Sequence, residues 1–133
     1  MADPTPDPAA VETVFARVGG QPFFDALVER FYVGVAMDPV LRPMYPDDLT
    51  DAKRHLALFL AQYWGGPTTY SDERGHPRLR MRHAPFPIGA EARDAWYHHM
   101  ADAVATTDLD DEDTAAMLGY FKMAADHLQN FVG

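Results

Sequence analysis

Residues 75–86 read GHPRLRMRHAPF, and they divide an otherwise helical chain into two halves. Pro85 pushes Ala84 out of the α region, so residues 78–83 have room for about one or two helical turns at most. On the N-terminal side, a segment opening at Pro22 carries Phe24, Leu27, Val28, Phe31, Tyr32 and Val35 on one helical stripe. Asp38-Pro39 ends it. Pro39, Pro43 and Pro46 then leave a short turn-rich corner that carries Tyr45. Thr50 is the expected N-cap of the next helix, with Asp51 favoured in its first turn. Ala52, Leu56, Phe59, Leu60 and Tyr63 form its stripe, and Gly65-Gly66-Pro67 stops it. A polar, irregular connection is expected from there to Pro77.

On the C-terminal side, Ala92, Trp96, Met100, Ala103 and Val104 define another helix. The run DLDDED (108–113) separates it from a last stripe of Met117, Phe121, Ala124, Leu128 and Phe131 or Val132. Ahead of all these, Ala9–Val18 reads as a short helix closed by Gly19-Gly20. Residues 1–8, MADPTPDP, read as a disordered tail. No window alternates over strand length. The expected fold is all-α, with residues 9–133 as one domain in which two helix pairs cross.

With 20 acidic and 11 basic side chains the net charge is −9, which would repel nucleic acid. No apolar run is long enough to insert stably in a membrane, and the absence of a leader favours the cytoplasm. The chain has no cysteine, so disulfides, thiolate metal sites and cysteine nucleophiles are excluded.

Against that acidic background, Arg74, Arg78, Arg80 and Arg82 cluster within nine positions. Such a cluster is either a solvated loop or a meeting place for an anionic group. His83 closes it, among Leu79, Met81 and Phe86. A histidine here is either a structural residue or a ligand. Phe31, Tyr32, Phe59, Tyr63, Trp96 and Phe121 add a surplus of aromatic surface on inward stripes. A flat apolar cofactor with two carboxylates and a need for one imidazole would use all of these, and haem is such a cofactor. Tyr32, Tyr45 and Trp96 either fill core or, opposite Ala52 and Leu56, line a cavity with donors for a small polar ligand. A helical interaction module without haem would use the same aromatics as plain core. His76 and His83, or His98 and His99, are weaker metal candidates, because adjacent histidines on a helix face different ways. His98, His99 and His127 are read as solvated. Asp110 to Asp113 lack the spacing of a calcium loop.

From about Val11 to Asn130 the chain resembles the truncated haemoglobins, and more narrowly their group II. The resemblance is carried by VGG (18–20), RFY (30–32), DPVLRPMYP (38–46), FL (59–60), QYWGGP (62–67), TYS (69–71), RGHPRLRMRHAPF (74–86) and RDAW (93–96). It implies a two-over-two helical sandwich holding haem b (iron protoporphyrin IX), with His83 as the proximal iron ligand. Tyr32, Tyr45 and Trp96 would hydrogen-bond the distal ligand at a five-coordinate iron. Ala52 falls where many globins place a distal histidine, and Leu56 would sit over the iron. Phe31, Phe59, Tyr63, Leu79, Met81, Phe86, Ile88 and Met123 would wall the pocket, with Arg80 and His76 beside the propionates. The implied ligands are O2, NO, CO and peroxide, with slow O2 release and redox chemistry by an external reductase rather than bulk transport. NO dioxygenase and peroxidase-like activities are both allowed, and a homodimer is left open. The sequence departs from the pattern in its N-terminal tail and in a connection after Tyr45 that is one residue shorter than in relatives. It also departs at His55, where many relatives carry an arginine.

Overall fold

The computed structural model describes residues 13–75 and 88–129, so the tail expected at 1–8 and the short helix expected at 78–83 lie outside the described residues. Among the described residues there are helices and turns and no strand. Thr13 caps α1 (Val14–Arg17), its hydroxyl accepting the Ala16 N–H at 3.1 Å. Gly19 and Gly20, at φ 95° and 82°, then redirect the chain. Helix α2 (Gln21–Ala36) buries Phe24, Leu27, Val28, Phe31, Tyr32 and Val35, the full stripe read from the sequence. Fully burying such a side chain stabilises the fold by roughly 1.5–3 kcal/mol, so this stripe anchors the core.

The corner after α2 is held by polar groups rather than by packing alone. The Asp38 carboxylate accepts the Val40 N–H at 2.8 Å. A 3₁₀ turn spans Arg42–Met44. The Arg42 guanidinium then donates to the carbonyls of Tyr45, Pro46 and Asp47 at 3.3, 3.0 and 3.0 Å. Helix α3 (Thr50–Tyr63) follows. Its cap differs from expectation: Thr50 is already helical, and the Asp48 carboxylate accepts the Thr50 N–H at 2.9 Å instead. The stretch expected to be irregular contains α4 (Thr69–Arg74). Gln62 holds it against α3, accepting the Ser71 N–H at 3.0 Å and donating to Ser71 Oγ at 2.7 Å.

Helix α5 is Ala90–Ala105 and α6 is Asp111–Leu128. Asp110 caps α6 by accepting the Asp113 N–H at 2.7 Å, and acidic residues fill the first turn as the helix dipole favours. Helix α2 packs on both α3 and α5, and α5 packs on α6. This is the expected two-over-two sandwich, with α2–α3 as one pair and α5–α6 as the other. Arg17 ties α1 to α6 through both oxygens of buried Asp113, at 2.8 and 3.2 Å. No described helix is long and apolar enough to cross a membrane.

One interior glycine is required by packing. A Cβ on Gly34 of α2 would lie 2.3 Å from the His99 imidazole of α5. The space lets His99 Nε2 reach Asp38 Oδ2 at 2.6 Å. His99 is therefore a partly buried link between α5 and the corner, correcting the expectation that it is solvated. His98 does face solvent, beside Asp102 at 3.2 Å.

Candidate functional site

A cavity of about 380 Å³ lies between the two helix pairs, within the size range of small-molecule pockets. Helix α3 contributes Ala52, Leu56, Phe59 and Leu60, which recur at helical spacing on one face. Helix α6 contributes Tyr120, Phe121, Ala124, Ala125 and Leu128 from the opposite pair. Tyr32 of α2, Trp96 of α5 and Tyr45 of the corner close one side, with Leu41 and Met44 beside them. Most of this wall is hydrocarbon. Among the described residues, the cationic or imidazole groups on it are His55, Arg74 and Arg93.

The polar aromatics form a connected group. Tyr32 and Tyr45 meet edge to face, with ring centroids 5.5 Å apart and planes at 87°. Phe31 packs edge-on against both Tyr32 and Trp96, at 5.0 and 5.7 Å. Burial pushes the Tyr32 phenol far up, and the neighbouring Tyr45 hydroxyl pushes it further. Burial also raises Tyr45, to about 12, against a smaller downward effect from Tyr32. Neither ionises near neutral pH, so both remain available as O–H donors.

The cationic groups are held by neighbours. Arg74 Nη1 lies 3.1 and 3.3 Å from the two His55 ring nitrogens. Burial first, and then the Arg74 charge, lowers the His55 pKa. His55 is therefore neutral at neutral pH and does not replace the charge of an arginine. Arg93 Nη1 donates to Gln129 at 2.7 Å, and its Nε to Asp94 at 3.0 Å. An apolar slot with guanidinium groups on its wall and donors at one end suits a flat apolar macrocycle bearing carboxylates.

Of the residues proposed from sequence, Tyr32, Tyr45, Ala52, Leu56, Phe59, Ile88 and Trp96 come together on the cavity wall. Three stand off this wall. Phe31 has no exposed surface and stands behind Tyr32 and Trp96. Met123 is 55% exposed, because it sits about 200° around α6 from the inward-facing Phe121. Tyr63 is 50% exposed at the end of α3, where its ring lies against Tyr120. His76, Leu79, Arg80, Met81, His83 and Phe86 lie outside the described residues. Sequence reasoning did not assign Leu41, Met44, Tyr70, Arg93, Tyr120 or Ala124 to the wall. Ala124 belonged to the recognised stripe of the last helix and was legible from it. Tyr70 was hidden with α4, and Arg93 reaches the wall only through the pairing of α5 with α6. Among the described residues, no three His, Cys, Asp or Glu side chains converge on a possible metal site.

Comparison with known proteins agrees with this architecture. Residues 13–130 match the model of the bacterial-like globin family. The group 2 truncated hemoglobin YjbI of Bacillus subtilis is 43% identical over 111 residues, covering 84% of each chain. The crystal structure of hemoglobin from the thermophilic phototrophic bacterium Chloroflexus aurantiacus superposes with a TM-score of 0.88 at 48% identity, covering 90% of this chain and 99% of that one. The X-ray structure of a truncated oxygen-avid haemoglobin from Bacillus subtilis superposes at 0.84 with 40% identity, covering 90% and 100%. The chain belongs to the bacterial-like globin family as a group II truncated haemoglobin, a haem b protein that binds O2.

Proposed function

We propose that this globin retains O2 through hydrogen bonds from Trp96 and the Tyr32–Tyr45 pair, and that it serves redox chemistry of O2, NO or peroxide rather than bulk transport. The observation that carries the reading is the clustering of one buried phenol, one partly buried phenol and one indole on the wall of a mostly hydrocarbon cavity. Haem, when bound, supplies the iron at which these small ligands coordinate, and His83 is the proposed protein ligand to it. Arg74 and Arg93 are the described groups suited to its carboxylates.

What this chain's residues do follows from burial. A polarised ligand in a water-poor cavity is retained by donors aimed at its negative end, because the low local dielectric strengthens each hydrogen bond. Ala52 and Leu56 themselves offer no competing donor or base, and the one imidazole of α3 on the wall, His55, is engaged by Arg74. Slow release is further supported by the likeness to an oxygen-avid relative. Slow release suits a reaction vessel better than a carrier. Turnover of such ligands consumes electrons, which an external reductant supplies in this reading.

Trp96→Phe tests the reading. Loss of one buried donor, at about 1–3 kcal/mol, corresponds to roughly a five- to 150-fold faster O2 dissociation. Stopped-flow displacement of O2 by CO measures it, and an unchanged rate constant removes Trp96 from the role. Mixing the oxygenated protein with NO and measuring nitrate tests the NO branch, which fails if no nitrate forms.

A further inference from the structure

We propose that the stacked Tyr120–Tyr63 pair is an electron route from the cavity wall to the protein surface, through which donors too large to enter are oxidised. The proposal rests on the peroxide chemistry of the reading above and adds the path and the class of donor.

Tyr120 is on the cavity wall. Its ring centroid lies 4.0 Å from that of Tyr63, with planes tilted by 31°, so the two faces are in van der Waals contact. No other ring pair among the described residues is as close. Tyr63 is 50% exposed. Two oxidisable phenols thus span the distance from cavity to water without a gap. Burial raises the Tyr120 pKa to about 12, which keeps it a neutral phenol at working pH.

The neighbouring Trp64 is the less suitable terminus. It packs edge-on against Tyr63 and Tyr120, at 5.2 and 5.8 Å. It is only partly exposed, whereas half of Tyr63 is open to a donor in solvent. Tyr63 meets solvent, which takes and returns the phenolic proton.

The electrons balance with hydrogen peroxide as the oxidant. Its O–O bond breaks and both oxygens leave as water, a change that consumes two electrons and two protons. Each electron is drawn from Tyr63 across the ring of Tyr120, which keeps its proton, and Tyr63 releases its own proton to solvent as its radical forms. A one-electron donor at the surface returns the electron, and solvent returns the proton. In sum, one peroxide, two donor electrons and two protons give two waters and two oxidised donors. The net charge of −9 favours a cationic protein donor.

The test mixes the haem-loaded protein with hydrogen peroxide and a nitroso spin trap, then maps adducts by peptide mass spectrometry. A Tyr63 adduct is expected in the wild type, absent in Tyr63→Phe and diminished in Tyr120→Phe. An unchanged CO-bound visible spectrum shows that Tyr63→Phe keeps its fold and haem. In the same variant, the rate of oxidation of reduced cytochrome c, relative to that of hydroxylamine, falls several-fold. Normal peroxide consumption with no Tyr63 adduct, or an unchanged rate ratio in Tyr63→Phe, overturns the route and leaves the O2-binding reading standing. Failure of the wild type to consume peroxide overturns both the route and the peroxide branch beneath it.

Discussion

Two tyrosine pairs reach the cavity in opposite circumstances, one with both members on its wall and the other through Tyr120 alone. Tyr32 and Tyr45 meet edge to face, and Tyr32 is 4% exposed. Tyr120 and Tyr63 lie face to face, and Tyr63 is 50% exposed. The chemistry open to each pair follows from its surroundings rather than from the residue type. A phenol sealed from water keeps its proton and donates it in a hydrogen bond. A phenol in contact with solvent has somewhere to send that proton, which loss of an electron requires. The first pair is also held by the Asp38–His99 link and Arg42, whereas Tyr63 of the second ends a helix that Gly65 stops.

The most forceful way to break this contrast is Gly34→Ala. The added Cβ, 2.3 Å from the His99 ring, must displace it and sever its bond to Asp38. Overpacking alone costs about 1–3 kcal/mol. Urea denaturation of the haem-loaded protein is expected to show that loss, together with faster O2 dissociation as the corner bearing Tyr45 loses its anchor. Tyr45→Phe is a finer probe that leaves the ring packing in place. Losing one donor at about 1 kcal/mol predicts roughly fivefold faster O2 dissociation by stopped flow, and no change would assign donation to Tyr32 and Trp96 alone.

The smallest expected effect is a null one, along the pH axis. Because burial raises both distal phenols, the O2 dissociation rate is expected to be flat from about pH 7 to about pH 10, the range in which an ordinary tyrosine begins to ionise. The sign for stability follows. With folded values above the unfolded value, these phenols contribute fully below about pH 10, and the contribution is lost as pH rises through the folded value of Tyr45, about 12. A rate that changes between those limits would mean that a distal phenol ionises early.

The helices were legible where a long apolar period repeats. The stripe from Phe24 to Val35 was read in full, and it is the stripe that α2 buries. The six residues of α4 are too few to show a period, so a helix held by Gln62 was read as loop. Met123 came from the family pattern, whereas the register of α6 points Phe121, Ala124 and Leu128 inward. The Asp38–His99 link joins residues 61 apart, and nothing local announces such a contact. Gly34 was the available clue, because a glycine inside a helix costs about 1 kcal/mol relative to alanine and so suggests a packing reason. His83 and, Arg74 apart, the basic cluster stand as sequence readings outside the described residues.

The ion pair between Arg17 and buried Asp113 sets a limit for anyone who would shorten this globin. A version starting at Thr13 keeps the cap of α1 and the guanidinium that neutralises Asp113. One starting after Arg17 strands a carboxylate inside the last helix, and a buried charge stripped of its counter-ion is among the costlier lesions a small protein can suffer. The minimal folding unit is therefore fixed at its front edge by a residue near its far end.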